Sequence, residues 1–285
     1  LTYDGVQADH DAGRLPEPLA ALPALGEALL ADARRRHAIE LGLPEQEVVR
    51  GPDGAWTIEL RAELPVERWN AQISLLTGRA AAQLMLAGGV GLLRTLPQPE
   101  PDRFPRLQRA ARSLGIAWPD GTPPGDVLAG LDVSQPRHAA FADLAGELLR
   151  GAGYAALLPG TPPPADPGHA GVGAPYAHVT APLRRLVDRF ATEICLALAA
   201  GAEPPAWAVE ALASLPEAMA EGDHRAKALD RATIDLTEAT VLADRVGEVF
   251  PAAVLESGKD YGTVVIDAPA IQGRCDAHHL PLGEE

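Results

Sequence analysis

The sequence predicts an α+β fold, and three observations carry that prediction. Long stretches repeat their apolar residues at helical spacing, and Pro- and Gly-rich breaks separate them. Val48 to Leu64 instead alternates apolar and polar residues around Gly51-Pro-Asp-Gly54, which reads as a β-hairpin. From Val246 onward the chain turns to strand-like alternation interrupted at Ser257-Gly258. The 285 residues suit one large domain or two smaller ones, and 47% hydrophobic residues are ample for a core. Aromatics are only 4%, so Ala, Leu and Val must do most of the packing.

Taken in order, Asp9-His-Asp11 reads as a solvated turn before Gly13. Leu19 to Leu41 reads as a long helix, with Leu22, Leu25, Leu29, Leu30, Ala33 and Ile39 as its apolar stripe and Arg34-Arg-Arg36 as its solvated face. The hairpin strands are expected near Glu47–Arg50 and Trp56–Ala62. Trp69 to Met85 is a helix rich in small residues, which let another backbone come close. A short strand, Val90–Leu96, follows.

Phe104 to Leu114, Pro123 to Leu131 and Pro136 to Leu149 are amphipathic helices between Pro/Gly turns. His138 lies among alanines on the third and reads as a surface or packing residue. Tyr154 to Leu158 is a candidate strand. Pro205 to Leu215 is a short helix, and Glu217 to Val246 a long one with Met219, Leu229, Ile234, Leu236 and Leu242 as its expected buried stripe. Two further strands are read at Val246–Leu255 and Gly262–Asp267.

The chain carries 39 acidic and 24 basic residues, a formal charge of −15. So acidic a protein is no general polyanion binder; any nucleic-acid contact must concentrate its basic residues. Two cysteines, Cys195 and Cys275, argue against a disulfide framework and suit a reducing cytoplasm. Cys275 with His278-His279 makes a poor zinc site, since no second cysteine pair accompanies it. No apolar run reaches membrane-spanning length, and no membrane role is expected.

The most informative stretch is Tyr176-Ala-His-Val-Thr-Ala-Pro-Leu-Arg-Arg-Leu-Val-Asp-Arg189. Pro182 stands where a helix should start, Thr180 is its candidate cap, and Leu183, Leu186, Val187, Phe190 and Ile194 follow at helical spacing. Arg184 and Arg185 then fall in the first turn, against the helix dipole. Two arginines there suit a docked anion, a phosphate above all. Pairing with nearby Asp or Glu is the plainer alternative.

This stretch resembles the motif Y-x-H-F-T-S-P-(I/L)-R-R-Y-x-D of the RNB domain, the catalytic domain of the ribonuclease II / ribonuclease R family. Tyr176, His178, Thr180, Pro182, Leu183, Arg184, Arg185 and Asp188 match it. Val179, Ala181 and Leu186 depart from it, and Thr192-Glu193 stands where His-Arg is usual. Other family segments follow in order. Leu1-Thr-Tyr-Asp-Gly-Val6 resembles L-x-Y-x-x-V, which implies that Tyr3 lies beside an RNA channel. The Trp69–Met85 helix corresponds to I-E-E-x-M-x-x-A-N, where the acid faces the ribose; here Ala71-Gln72 replace the acid pair, and Asn70 or Gln72 is the candidate substitute. Arg94-Thr-Leu-Pro97 loosely matches V-x-R-x-H-P, with Leu96 for the histidine. Ala228-Leu-Asp-Arg-Ala-Thr-Ile-Asp235 resembles A-E-R-x-x-x-D, with Asp230 for the glutamate.

The resemblance implies a helix-rich RNB-type portion over 1–243 and the opening of an OB-type RNA-binding barrel over 244–285, too few strands to close. It also implies 3′→5′ hydrolysis of single-stranded RNA to nucleoside 5′-monophosphates with two magnesium ions. Arg184 would contact the scissile or adjacent phosphate. Tyr3, Asn70, Gln72, Tyr176, His178, Thr180, Arg185 and Asp230 would bind substrate or hold the site, with no proton-transfer role for His178. The family's aspartate run, D-x-x-x-x-x-D-x-D-D, is absent from 1–285 and is expected upstream of Leu1, in a missing N-terminal part of a longer protein. Two other readings stand beside this one: an RNB-like RNA-binding protein without catalysis, and an unrelated enzyme clamping a small phosphorylated metabolite.

Overall fold

The computed structural model describes all residues except 43–44, 52–53, 133–134, 268–269, 277–279 and 281–285. The chain opens with α1 (Tyr3–Asp11) and α2 (Leu22–Arg35), then the hairpin β1 (Glu45–Arg50) and β2 (Trp56–Arg61). The long α3 (Pro65–Gly88) feeds β3 (Gly91–Thr95). Three short helices follow: α4 (Phe104–Ser113), α5 (Pro124–Leu128) and α6 (Pro136–Ala145). Next come β4 (Gly153–Leu157), the two-residue strands β5 (Gly168–His169) and β6 (Ala174–Pro175), and then α7 (Leu186–Ala199), α8 (Ala206–Ala211) and α9 (Leu215–Leu242). The chain ends on β7 (Ala253–Ser257), β8 (Gly262–Asp267) and β9 (Ala270–Cys275). The architecture is α+β, with small antiparallel sheets and no closed barrel among the described residues.

Two compact units emerge, each assembled from three stretches of chain. The first comprises Leu1–Ile39, Leu64–Pro99 and Leu149–Asp223; the second Glu40–Glu63, Glu100–Leu148 and His224–Glu285. Compactness thus divides the chain elsewhere than the 243/244 boundary.

In the first unit, α3 is the spine. Pro65 opens it, the Glu67 carboxylate reaches back to accept from the Leu64 N–H at 2.9 Å, and Gly89 ends it in the left-handed conformation at φ 65°. One face packs Ala81, Ala82 and Met85 with Leu92 and Leu93 of β3, Val187 and Ile194 of α7, and Leu212. The other end packs Val66 and Trp69 against Val6 and Leu30. The small residues foreseen on α3 have a defined use at Gly78. A Cβ there would lie 2.2 Å from Tyr176 Cε2 and 2.5 Å from the Ala177 carbonyl oxygen. Gly78→Ala should therefore destabilise by about 1–3 kcal/mol, read as a lower urea midpoint at unchanged slope.

In the second unit, β1 pairs with β2, and β7-β8-β9 form an antiparallel meander with an irregularity between Val254 and Glu256. The side chains of Leu107, Phe141 and Leu148 are almost wholly buried.

Several expectations need correction. Tyr3–Asp11 is helical, capped by the Thr2 hydroxyl accepting from Gly5 N–H, so Asp9-His-Asp11 is no turn. His10 packs edge-on against Trp69 with ring centroids 4.9 Å apart. Leu229 and Leu236 are 68% and 70% exposed. The packed face of α9 in this region is centred on Ile234, Thr237 and Val241, turned roughly 120° around the helix from those leucines. The strand read at Val246–Leu255 starts only at Ala253. His278 and His279 lie outside the described residues.

Candidate functional site

The segment 176–189 is held by three anchors, all in the first unit. The Arg94 N–H of β3 donates to the Tyr176 carbonyl at 2.8 Å, and the Ala177 N–H donates to the Gly78 carbonyl at 3.1 Å. The third anchor is Asp188, fully buried. Its Oδ1 accepts from the Ala181 N–H at 2.6 Å and from Arg185 Nη2 at 2.9 Å, and its Oδ2 accepts from Arg185 Nε at 2.8 Å.

This third anchor explains why α7 starts at Leu186 and not at Pro182. Residues 182–184 form a tight turn in which the Arg184 and Arg185 N–H groups both donate to the Ala181 carbonyl. The fork from Asp188 holds Arg185 extended, at φ −122° and ψ 121°, so Arg185 becomes the residue that precedes the helix. Asp188 then sits in the first turn, where the dipole favours an acid. Thr180 is exposed and caps nothing. Leu183, expected on the apolar face, is 95% exposed on the turn.

The two arginines therefore part company. Arg185 is tied to an internal carboxylate, as the plainer reading had it. Arg184 is exposed at the tip, and among the described residues its side chain has no hydrogen-bond or ion-pair partner. Arg189 lies close by in the chain, also exposed, with Nε donating to the Pro182 carbonyl at 2.9 Å.

Beneath the turn runs a ladder of rings. His169 packs edge-on to Tyr176 at 5.6 Å, Tyr176 to His178 at 5.4 Å, and His178 to Tyr154 at 5.7 Å. Tyr154 Oη and His178 Nδ1 are 2.7 Å apart. The Arg94 guanidinium lies 4.7 Å from the centre of the Tyr154 ring and 3.9 Å from Asp223. Burial first, then Arg185 and Arg94, lowers the His178 pKa to about 3. Burial, then Arg94, lowers that of His169 to about 4. Burial raises both Tyr154 and Tyr176. At neutral pH the imidazoles are uncharged and the phenols protonated, and Tyr154 Oη and His178 Nδ1 share one hydrogen bond whose direction is set by the imidazole tautomer.

The pH dependence of stability follows. Between about pH 3 and 6.5 an unfolded imidazole takes up a proton that folded His178 refuses, and His169 behaves likewise above about pH 4. Their contribution is complete above pH 6.5 and is lost on acidification. His178→Gln should flatten the fall in thermal stability between pH 6.5 and 4 by about 1–2 kcal/mol, allowing for partial solvation. Equal slopes in the two proteins would contradict it.

The remaining sequence candidates divide. Asn70 Nδ2 donates to the Tyr3 hydroxyl at 2.9 Å, and Tyr3 is 46% exposed. Both line an open cleft of about 370 Å³ with Leu1, Thr2, Val6, Leu19, Leu22 and Val66. Gln72, only 3% exposed, and Tyr176, 7% exposed against Gly78, are packed inward and present no surface to a ligand. Asp230 is exposed on the part of α9 that belongs to the second unit. Sequence reasoning missed Tyr154, His169 and Asp223. Only the i,i+3 spacing of Arg185 and Asp188 was a usable signal for the buried fork.

No family profile matches this sequence, and no curated protein matches it. Solved structures do match its fold. Mycoplasma genitalium RNase R in complex with ribose-methylated single-stranded RNA superposes with a TM-score of 0.79 at 16% identity, covering 95% of this chain and 44% of that one. Yeast Ssd1, a pseudonuclease, gives 0.74 at 19% identity over 97% of this chain and 35% of that one. An active-site mutant of the exoribonuclease Dss1 from Candida glabrata gives 0.71 at 15% identity over 100% and 35%. This chain spans at most half the length of these structures. Over the part it spans, it has the fold shared by RNase R, Ssd1 and Dss1, in agreement with the RNB resemblance of the Tyr176–Asp188 motif.

Proposed function

We propose that this chain is the phosphate-gripping, substrate-channel part of an RNB-type protein that degrades single-stranded RNA from its 3′ end, releasing nucleoside 5′-monophosphates. One observation carries the reading: Arg184 is exposed and, among the described residues, without a hydrogen-bond or ion-pair partner, on a turn that the buried Arg185–Asp188 ion pair and two backbone hydrogen bonds hold in shape. A guanidinium carried on a turn anchored in this way suits the charge that develops on a phosphate under attack. Tyr3, braced by Asn70, offers a half-exposed ring to a base or ribose. Thr180 and Arg189 flank the strand, and His178 with Tyr154 stiffens the loop from below. The β7-β8-β9 meander supplies the opening strands of an OB-type RNA-binding module over 244–285.

The magnesium ions implied by the resemblance do not fit the residues present. Among the described residues no group of three or more His, Cys, Asp or Glu side chains is placed to hold a metal ion. Their ligands belong, in this proposal, to sequence upstream of Leu1. A second reading, RNA binding without hydrolysis, is favoured by the match to the pseudonuclease Ssd1.

The test is incubation of the full-length protein with 5′-labelled single-stranded RNA, with magnesium and with chelator. Metal-dependent shortening from the 3′ end is expected. Binding without shortening would establish the second reading instead.

A further inference from the structure

The second unit carries a feature that the proposed site does not use. Arg103 to Pro119 holds four arginines and no acidic residue, in a chain whose formal charge is −15. Most of it is α4, Phe104-Pro-Arg-Leu-Gln-Arg-Ala-Ala-Arg-Ser113. Leu107, Ala111 and Leu114 are buried at 1%, 0% and 3%, which fixes the inward face. Arg106, Arg109 and Arg112 are all exposed and recur every third residue, so they form one basic stripe on the outward side. Successive arginines stand about 4.5 Å apart along the axis. Arg103 is drawn aside, donating through Nη1 to the Glu147 carbonyl at 3.0 Å. Arg106 makes only a long contact of 3.7 Å with the Glu147 carboxylate. Among the described residues the side chains of Arg109 and Arg112 have no hydrogen-bond or ion-pair partner.

A solvated helix face in an acidic protein ordinarily mixes both signs of charge. This one has three cations in line, and among the described residues only Arg106 has a carboxylate within reach, that of Glu147. We propose that the outward face of α4 is a second docking surface for the sugar-phosphate backbone of RNA, distinct in sequence and in compact unit from the Arg184 turn. Its recognition is electrostatic and sequence-independent, since arginine forks match phosphate oxygens and nothing on this face reads a base. The proposal rests on the reading of this chain as part of a single-stranded RNA-degrading protein, and adds a second RNA-backbone contact to it.

The test compares binding of a 5′-labelled oligouridylate, in chelator, by the full-length protein, its Arg109→Gln/Arg112→Gln variant, its Arg109→Lys/Arg112→Lys variant and Arg184→Ala. Each phosphate contact contributes about 0.7 to the slope of log affinity against log salt for a single strand. The Gln pair should therefore flatten the slope by about 1.4. Its deficit against wild type should be about seven-fold larger at 50 mM than at 200 mM salt. The Lys pair should keep the wild-type slope, which separates charge from helix packing. Unchanged affinity and slope in the Gln pair, with Arg184→Ala still impaired, would overturn the α4 surface and leave the functional reading standing. Absence of RNA binding by the wild type would overturn both.

Discussion

Replacing Arg184 by Ala in the full-length protein lowers turnover of single-stranded RNA by about 10²–10³-fold, while affinity for the same RNA changes by only a few fold. The magnitude is that of removing one preorganised donor from a developing oxyanion. The asymmetry between turnover and affinity follows from where the residue sits. A single exposed guanidinium adds little to ground-state binding of a long strand, which is gripped at many phosphates. Its advantage is fixed position, because the turn that carries it is anchored at Ala181, Arg185 and Asp188. Arg184→Ala removes no side-chain hydrogen bond or ion pair among the described residues, so folding should be little affected. Steady-state kinetics with a 5′-labelled substrate, alongside a urea titration, check both halves. An unchanged kcat would remove Arg184 from the mechanism, and so would a loss of activity matched by a loss of stability.

Asp188→Ala is expected to cost about 3–5 kcal/mol of stability. The side chain is fully buried, and its two oxygens accept three hydrogen bonds. Removing it strands the Arg185 guanidinium, whose side chain is only 16% exposed, and leaves the Ala181 N–H without its acceptor. Asp188→Asn keeps the shape and one acceptor oxygen but loses the charge, and should fall between wild type and Ala. Denaturant unfolding followed by far-UV circular dichroism measures the series. A cost under about 1 kcal/mol for Ala is the range of an exposed ion pair. It would show that the turn is held by other contacts, and the rigid presentation of Arg184 would lose its basis.

These two residues also mark how far the sequence could be read. Period and punctuation found nearly every long helix. Pro136 is a local signal, and α3, α4, α6 and α9 lie within a few residues of where the apolar spacing put them. The meander strand Gly262–Asp267 was likewise legible from alternation. The start of α7 was not. Pro182 is a sound helix opener by local rule, yet the buried Arg185–Asp188 fork imposes an extended residue three positions later, and tertiary burial overrides the local preference. The motif marked Arg184 and Arg185 alike, and only burial separates the paired one from the free one. Tyr154 and His178 are 24 residues apart and carry no shared pattern, so their hydrogen bond was invisible until β3 and β4 paired. The α1 helix was missed because Asp9, His10 and Asp11 look like loop residues, although His10 lies against Trp69 from a distant helix.

The most direct test of the central claim, that the Arg184 turn grips an RNA strand, is the affinity of the full-length protein for uridylates of increasing length as salt is varied, in wild type and Arg184→Ala. The account predicts that wild-type affinity rises with length, and that Arg184→Ala flattens the salt slope for long strands by about 0.7, one phosphate contact. A uridine monophosphate bound as tightly as a long strand, or identical salt slopes for the two proteins, would contradict it.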